Sequence, residues 1–357
     1  MNAPLPAIPL IDVRDGGPLR HARMRPAQAR ALRDACLQFF PRVAVPFIPA
    51  FDFLSHRSLR RSRSPYFAEI AAIADALDFS GVWLLNASYQ WGCTARACQE
   101  DGVPWLMRTL DWPFSGLGRH AEIAHMRGAG GDFVSVTWPG YVGVLTAMAP
   151  GRFAAALNQA PMRRRTRHRW LRPFDYAVNA LRTSRASFIP PDQLLRRTFE
   201  ECENFATARR LLESTPVARP AIYTLVGCAA DECCVIERTE TEFFTRSNNT
   251  CAANDWEPRR PGWEGRIGMR RFLASSFADA AGFSRARRES LAAWRGSLSA
   301  SDFDWLKEPV LNPYTRLAVA MNPAWGSLRA VGYDLGDDPL PIPVTQIYEL
   351  GLVPQAA

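Results

Sequence analysis

Apolar positions recur at helical spacing through roughly the first ninety residues, then switch to strict alternation. RPAQARALRDACLQFF (25–40) places Pro26 near a helix start, with apolar residues following at i, i+3 and i+4. Ser64-Pro65 supplies an N-cap and a first-turn proline for YFAEIAAIADALD (66–78), where Ile70, Ile73, Ala74 and Leu77 form one stripe. GVWLLNASYQWG (81–92) reads as extended or mixed. From Cys93 the period becomes two. CTARACQ and PWLMRTLDW flank Glu100-Asp101-Gly102, which predicts a hairpin. Further strand-like runs at 122–128, 132–138, 141–149 and 152–159 extend it to an antiparallel meander of five or six strands. Two of these, 141–149 and 152–158, are apolar on both faces, so both sides of the sheet should be covered.

Helical spacing returns over 171–215. Strands are predicted at 220–229, 233–239 and 242–248, followed by TCAANDW (250–256) and a proline-rich loop. Helices at 266–281 and 285–298 precede closing strands at 316–322, 327–335 and 343–350. This order predicts an α+β fold, with two sheets stacked face to face and helices outside, as one domain. The pattern contains neither an internal repeat nor a low-complexity linker.

Composition changes this picture little. The chain has 357 residues, 47% of them apolar, which suffices for a large core. No run reaches the roughly 18 apolar residues of a membrane helix. The start, MNAPLPAIPLIDVRDGG, has no basic region leading into an apolar one, which predicts a cytoplasmic location. The net charge of +8 is carried almost wholly by arginine, since Lys307 is the only lysine. The basic runs RSLRRSR (57–63) and RRRTRHRWLR (163–172) read either as solvated faces or as patches for an anionic membrane surface or nucleic acid. No helix-turn-helix, zinc-finger or RNP signature supports nucleic acid.

Eight cysteines without a C-x-x-C pair, and five scattered histidines, argue against a disulfide scaffold and against a metal site; no cofactor is implied. Most of the cysteines read as buried small hydrophobes. Cys93 and Cys98 share a strand, and their spacing of five turns them to opposite faces. Cys93 differs in its company. Arg108 sits on the neighbouring strand of its hairpin, within reach to lower the thiol pKa, and Asp111 closes the same strand. If the Gly92–Cys93 bond were cut, the freed α-amine of Cys93 would titrate at roughly 8 and could serve as general base at neutral pH. Asp111 would then orient that amine.

On these residues the chain resembles a family. AEIAAIADALDFSGVWLLNASYQWGCTARACQEDGVPWLMRTLDWPF (68–114) is similar to the N-terminal-nucleophile hydrolases of the acid ceramidase and N-acylethanolamine-hydrolysing acid amidase group, relatives of the choloylglycine hydrolases and penicillin acyltransferase. A small-residue helix precedes LLN, followed by Cys-Thr, a hairpin and Arg-x-x-Asp-aromatic-Pro-Phe. Downstream, ALNQ (156–159) and AANDW (252–256) are similar to the family's asparagine segments, and Arg266 falls where the family has a second arginine. The resemblance is dense over 68–114, patchy but collinear to about 266, and thin elsewhere. Two departures stand out: Gln159 replaces the family's glutamate, and the Asn254-Asp255-Trp256 segment is short.

The resemblance implies a four-layer αββα sandwich preceded by a small helical N-terminal segment. It implies self-cleavage into residues 1–92 and 93–357, with the two chains staying associated. Cys93 would attack an amide carbonyl, with its amine as base, Asp111 holding the amine and Arg108 favouring the thiolate. Asn254 and Asn158 would donate to the oxyanion, and Arg266 would support the site. Expected substrates are N-acyl amides with an apolar acyl chain, such as N-acylethanolamines, ceramide-like amides, N-acyl amino acids or acyl-homoserine lactones. Trp91, Trp112, Phe114 and Trp256, with Trp105 nearby, would bind that chain. Hydrolysis and acyl transfer both remain open. So does a non-catalytic relative that binds a lipid or other amphiphile.

Overall fold

The computed structural model describes residues 4–87, 92–248, 250–265, 277–299, 302–336 and 339–351. The chain opens with a short strand, β1 (Leu10–Asp12), followed by helices α1 (Gly17–Met24), α2 (Pro26–Leu37), α3 (Ile48–Arg61), α4 (Phe67–Leu77) and α5 (Val82–Ala87). Prolines in the first turns of α1, α2 and α3 start these helices where no backbone donor is needed. Ile70, Ile73 and Leu77 of α4 bury their stripe against Ala22, Leu59 and Val82, so the segment has its own small core. The N-terminal segment is not all helical, however. β1 runs parallel to β4 (Glu122–Gly128) in the first sheet. Three residues are too few for periodicity to reveal.

The hairpin of β2 (Gly92–Glu100) and β3 (Val103–Asp111) turns at Asp101 and Gly102, both in the left-handed region at φ 52° and 75°. After β4 come β5 (Gly131–Thr137), β6 (Thr146–Ala149), β7 (Phe153–Gln159) and β8 (Met162–Arg163). Helices α6 (Arg172–Arg185), α7 (Pro191–Glu201) and α8 (Phe205–Ser214) separate these from β9 (Ala221–Val226), β10 (Cys233–Arg238), β11 (Phe243–Ser247), β12 (Thr250–Ala252) and β13 (Trp263–Glu264). Helix α9 (Phe277–Ala293) leads to β14 (Thr315–Asn322), β15 (Ser327–Asp334), β16 (Ile342–Pro343) and β17 (Tyr348–Leu350).

One sheet has the order β1-β4-β5-β6-β7-β9-β10-β11. The other runs β12-β2-β3-β14-β15, with β16 and β17 both pairing β15; β13 and β8 pair apart from them. The single meander expected over 93–159 is therefore divided: β2–β3 belong to one sheet and β4–β7 to the other. The reason lies in β3. Trp105 and Met107 pack into one core cluster while Leu106 and Leu110 pack into another, so both faces of β3 need cover. It takes a central place beside β14 instead of feeding β4. Residues 141–145 are not strand, and the helical pattern of 285–298 belongs to one helix that starts by Phe277 and ends at Ala293. Residues 266–276 lie outside the described residues.

The layers stack as αββα. Phe199 of α7 packs on Phe133 and Phe153 of the first sheet, at ring distances of 5.3 and 4.7 Å, each contact adding about 0.5–1.5 kcal/mol beyond area burial. Leu291 of α9 packs on Cys98, Trp105 and Met107, the outer face of the second sheet. Cys93, Leu106 and Leu110 face inward, toward Leu145, Met148 and Leu157. Cys93 and Cys98 thus face opposite sides of β2, as their spacing predicts. Among the described residues no helix is long and apolar enough to cross a membrane.

Asp192 in the first turn of α7 is fully buried, and Tyr141 donates to its Oδ2 at 2.8 Å. Burial pushes its carboxyl up to about 6, against the pull of the Tyr141 hydroxyl and the Arg219 guanidinium. The folded chain therefore binds this proton more tightly than the unfolded chain, whose Asp titrates near roughly 4. The stability this group lends is present below about pH 4 and lost as pH rises through about 6. Asp192→Asn should reduce the gain in Tm on acidification across that window, measured by thermal melts. An unchanged pH slope refutes the assignment.

Candidate active site

Cys93 lies opposite Leu110 in the β2–β3 ladder, and Arg108 lies opposite Ala95. Arg108 is therefore the diagonal neighbour of Cys93 on the same inward face. Its Nη2 donates to Cys93 Sγ at 3.1 Å and to the Leu157 carbonyl at 3.1 Å. Nη1 donates to the Leu145 carbonyl at 2.8 Å and to Thr146 Oγ1. Cys93 is 3% exposed. Burial pushes its thiol up, and Arg108 gives the largest opposing pull while Asp111 adds to the rise. Arg108 thus acts in the expected direction, but desolvation outweighs it in the intact chain.

Asp111 pairs with Gly92 across the hairpin, one position out of phase with Cys93, so its carboxylate and the thiol leave opposite faces. Its Oδ1 accepts from Thr315 Oγ1 at 3.0 Å and its Oδ2 from Arg287 Nη1 at 2.7 Å. Arg287, on α9, was not among the expected residues. It also donates to the Cys93 carbonyl at 3.0 Å, to Thr94 Oγ1 at 2.9 Å and, through Nη2, to Asn254 Oδ1 at 2.7 Å. Asn254 Oδ1 accepts the Cys93 backbone N–H at 3.0 Å, while its Nδ2 donates to the Gln159 carbonyl at 2.8 Å. Donors on one side and a carbonyl on the other fix the orientation of this amide. In the intact chain, then, Asn254 and not Asp111 holds the nitrogen of Cys93.

Asn254 is itself braced. Ser284 Oγ accepts its N–H at 2.8 Å and donates to Asp255 Oδ1 at 2.7 Å, and Arg288 holds Asp255 Oδ2 at 3.1 Å. Ser284, Arg287 and Arg288 share one face of α9, the i, i+3, i+4 spacing that could have singled them out. Asn158, near the end of β7, donates to the carbonyls of Ala252 and Ala253 at 3.3 and 3.2 Å. Its Oδ1 meets no partner among the described residues. Gly92 closes tightly on the group: a Cβ there would stand 3.3 Å from Asp111 Cβ and 3.6 Å from Asn254 Oδ1.

The expected acyl-binding aromatics are packed in the core of the intact chain. Trp112 stacks on Trp138 at 5.9 Å, Phe114 meets Phe39 edge-on at 5.0 Å, and Trp256 meets Trp263 edge-on at 5.4 Å. Trp112 and Phe114 share the core cluster of Cys93; Trp256 lies in a separate one. Trp91 and Arg266 lie outside the described residues. Among the described residues no cluster of three or more His, Cys, Asp or Glu could hold a metal ion. The arrangement offers a thiol beside a guanidinium, with its own backbone nitrogen and carbonyl each held by a side chain.

No family model matches the chain. It is 29% identical to the N-acylethanolamine-hydrolyzing acid amidase of Rattus norvegicus over 182 residues, 49% of this chain and 47% of that protein. The enzyme of the same name from Mus musculus matches at the same identity and coverage. The chain thus matches over about half the length of these curated relatives. Among solved structures, the Caenorhabditis elegans N-acylethanolamine-hydrolyzing acid amidase ortholog gives a TM-score of 0.44 at 18% identity, over 65% of this chain and 93% of that one. A mutant of the conjugated bile acid hydrolase from Clostridium perfringens gives 0.40 at 10% identity, over 73% and 92%.

Arg287→Met would leave the buried Asp111 carboxylate with Thr315 but without its cation. Removing one partner of such a pair costs about 3–5 kcal/mol of stability. Urea unfolding of the full chain should show a loss of that order. A loss below about 1 kcal/mol would mean that the pair does not hold this face together.

Proposed function

We propose that this chain, which resembles the N-terminal-nucleophile hydrolases of the acid ceramidase and N-acylethanolamine-hydrolysing acid amidase group, is a self-processing amidase with Cys93 as nucleophile. The observation that carries this reading is that Cys93 is held at three atoms: Sγ by Arg108, N by Asn254 and O by Arg287. A cysteine that only fills space needs none of these contacts.

Self-cleavage begins with addition of Cys93 Sγ to the Gly92 carbonyl carbon. The Gly92–Cys93 C–N bond breaks as the nitrogen takes up the thiol proton, leaving a thioester and a free α-amine. Water hydrolyses the thioester, yielding a Gly92 carboxylate and the Cys93 thiol. The two chains stay together. β1 remains paired with β4, His21 Nε2 meets Glu122 Oε2 at 2.6 Å, and Glu69 pairs with Arg196. With substrate, the α-amine takes the thiol proton as Sγ attacks the amide carbonyl, then passes it to the leaving amine. Asn254 and Asn158 donate to the oxyanion; such a donor is worth roughly 3–4 kcal/mol. Asn254 Nδ2 must exchange the Gln159 carbonyl for the oxyanion to do so. Asp111 orients the amine from its Arg287 and Thr315 contacts, with Arg266 supporting the charge. Water completes hydrolysis, and another amine or alcohol would complete transfer.

Apolar acyl chains suit the aromatic supply of Trp91, Trp112, Phe114 and Trp256. An anionic membrane surface suits the exterior. Helix α3 is inverted: it buries Asp52 and Ser55 alongside Ile48 and Leu59, yet exposes Phe51, Phe53 and Leu54. Its neighbour α6 buries Arg172 and Asp175 and exposes Phe174 and Leu181, beside an exposed Trp170. The exposed Arg57, Arg60, Arg61, Arg182 and Arg185 lie in the C-terminal turns of the same two helices. Apolar side chains with nearby arginines match a bilayer interface, where each arginine adds on the order of 1 kcal/mol on anionic lipid.

The deciding experiment is the intact mass of the full chain and of Cys93→Ala, incubated across acid to neutral pH. Wild type should yield chains of 92 and 265 residues while the variant stays whole. If both stay whole, the proposed base never forms and the amphiphile-binding reading takes its place. For the surface, flotation with phosphatidylcholine vesicles, with and without phosphatidylserine, should show binding that needs the anionic lipid. A Phe51→Ser, Phe174→Ser double variant should lose most of it; unchanged binding removes these helices from the contact.

A further inference from the structure

We infer that Asn86 and Arg219 are positioning residues for self-cleavage, holding the peptide on the N-terminal side of the Gly92–Cys93 bond. The inference rests on the self-cleavage proposed above and goes beyond it, to what presents the bond.

Asn86 is fully buried in the last turn of α5, six residues before Gly92. Its amide does not face a reactive group. It grips a strip of backbone from the other side of the bond. Nδ2 donates to the Gly140 carbonyl at 2.9 Å and to its own helix at Val82, and Oδ1 accepts the Val142 N–H at 2.8 Å. This two-point contact copies one rung of a sheet with a side chain. One residue on, Arg219 Nη2 donates to the Ala87 carbonyl at 3.0 Å. Gly140, Val142 and Arg219, all in the larger segment, thus fix the end of the smaller one.

The strip that Asn86 grips continues directly to the nucleophile. Residues 140–145 are all buried. Tyr141 donates to Asp192, and the Val144 N–H donates to the Asp192 carbonyl at 3.0 Å. A Cβ on Gly143 would collide with the Asp192 carboxylate, so the strip passes α7 closely only as glycine. Its end, the Leu145 carbonyl, accepts from Arg108, the residue that donates to Cys93 Sγ. One strip six residues long therefore registers both sides of the bond: Asn86 upstream through 140 and 142, the thiol downstream through 145 and Arg108. Gly92 follows the fixed Ala87 by five positions, with 88–91 outside the described residues, and precedes a Cys93 held at three atoms. Releasing the upstream end removes one of two restraints on the Gly92 carbonyl, the other being the pairing of Gly92 with Asp111 in β2.

The test uses full-length wild type, Asn86→Ala, Arg219→Met and Arg219→Lys, followed by intact mass at the pH of fastest wild-type cleavage. Each is held at the same interval below its own Tm, with and without hydroxylamine. Hydroxylamine intercepts the thioester, so in its presence the cut reports the acyl shift alone. Asn86→Ala and Arg219→Met should cut about 10- to 100-fold more slowly than wild type in hydroxylamine, the scale of loss when a reacting group is misplaced by about 1 Å. Arg219→Lys, which still donates to a carbonyl, should recover most of the rate. Variants that cut at the wild-type rate at matched temperature overturn the inference and leave the self-cleavage reading intact. Wild type that stays whole in hydroxylamine at every pH overturns both.

Discussion

The guanidinium of Arg108 lies between the two sheets, and among the described residues no carboxylate pairs with it. A buried charge in that position is costly unless most of its donors find acceptors. Here the two terminal nitrogens find acceptors in both layers, Thr146 and Leu157 in the first sheet with Leu145 just ahead of β6, and Cys93 in the second, while Nε meets none among the described residues. The spacing of the sandwich is therefore tied to the position of one thiol. Any shift of β6 or β7 against β2 and β3 would leave more of that cation unsatisfied, which makes the inter-sheet register a condition of the site.

A second cation works from the other side. Arg287 on α9 reaches through the outer face of the second sheet to Asp111, Thr94, the Cys93 carbonyl and Asn254. Cys93 thus lies between two guanidiniums that approach from opposite faces of β2. The thiol faces Arg108 because side chains alternate along a strand; the backbone faces Arg287 because Asp111, one residue out of phase, draws that arginine in. This division of labour between faces follows from the period of two.

The hairpin was legible because its signals are local. Alternation over 93–111, the Asp101-Gly102 turn and Arg-x-x-Asp at its end are all contained in twenty residues. The partition of strands between sheets was not, since it depends on β3 finding β14 two hundred residues later. Arg287 was missed for a related reason. It lies in a helix dense in arginine, where the shared face of Ser284, Arg287 and Arg288 is a weak signal until Asn254-Asp255 is seen to lie beneath α9. Helices α3 and α6 carried a different kind of ambiguity. A helical run containing Phe and Leu is read as core by default; only burial reveals that Asp52 and Asp175 face in while Phe51 and Phe174 face out.

Under the proposed function the burial of Cys93 has a chemical consequence. In the intact chain desolvation raises the thiol despite the pull of Arg108 and so disfavours the thiolate, and the side chain is buried. Under that reading the bond that Sγ attacks is the Gly92–Cys93 bond beside it in sequence. The base that substrate turnover needs, the α-amine, does not exist until that bond is broken. Because desolvation works against the thiolate, attack on Gly92 relies on geometry more than on thiolate population. That places the burden on the groups that hold the peptide still: Asn254 and Arg287 on the Cys93 side, and the backbone strip from Gly140 to Leu145 that reaches from Asn86 to Arg108.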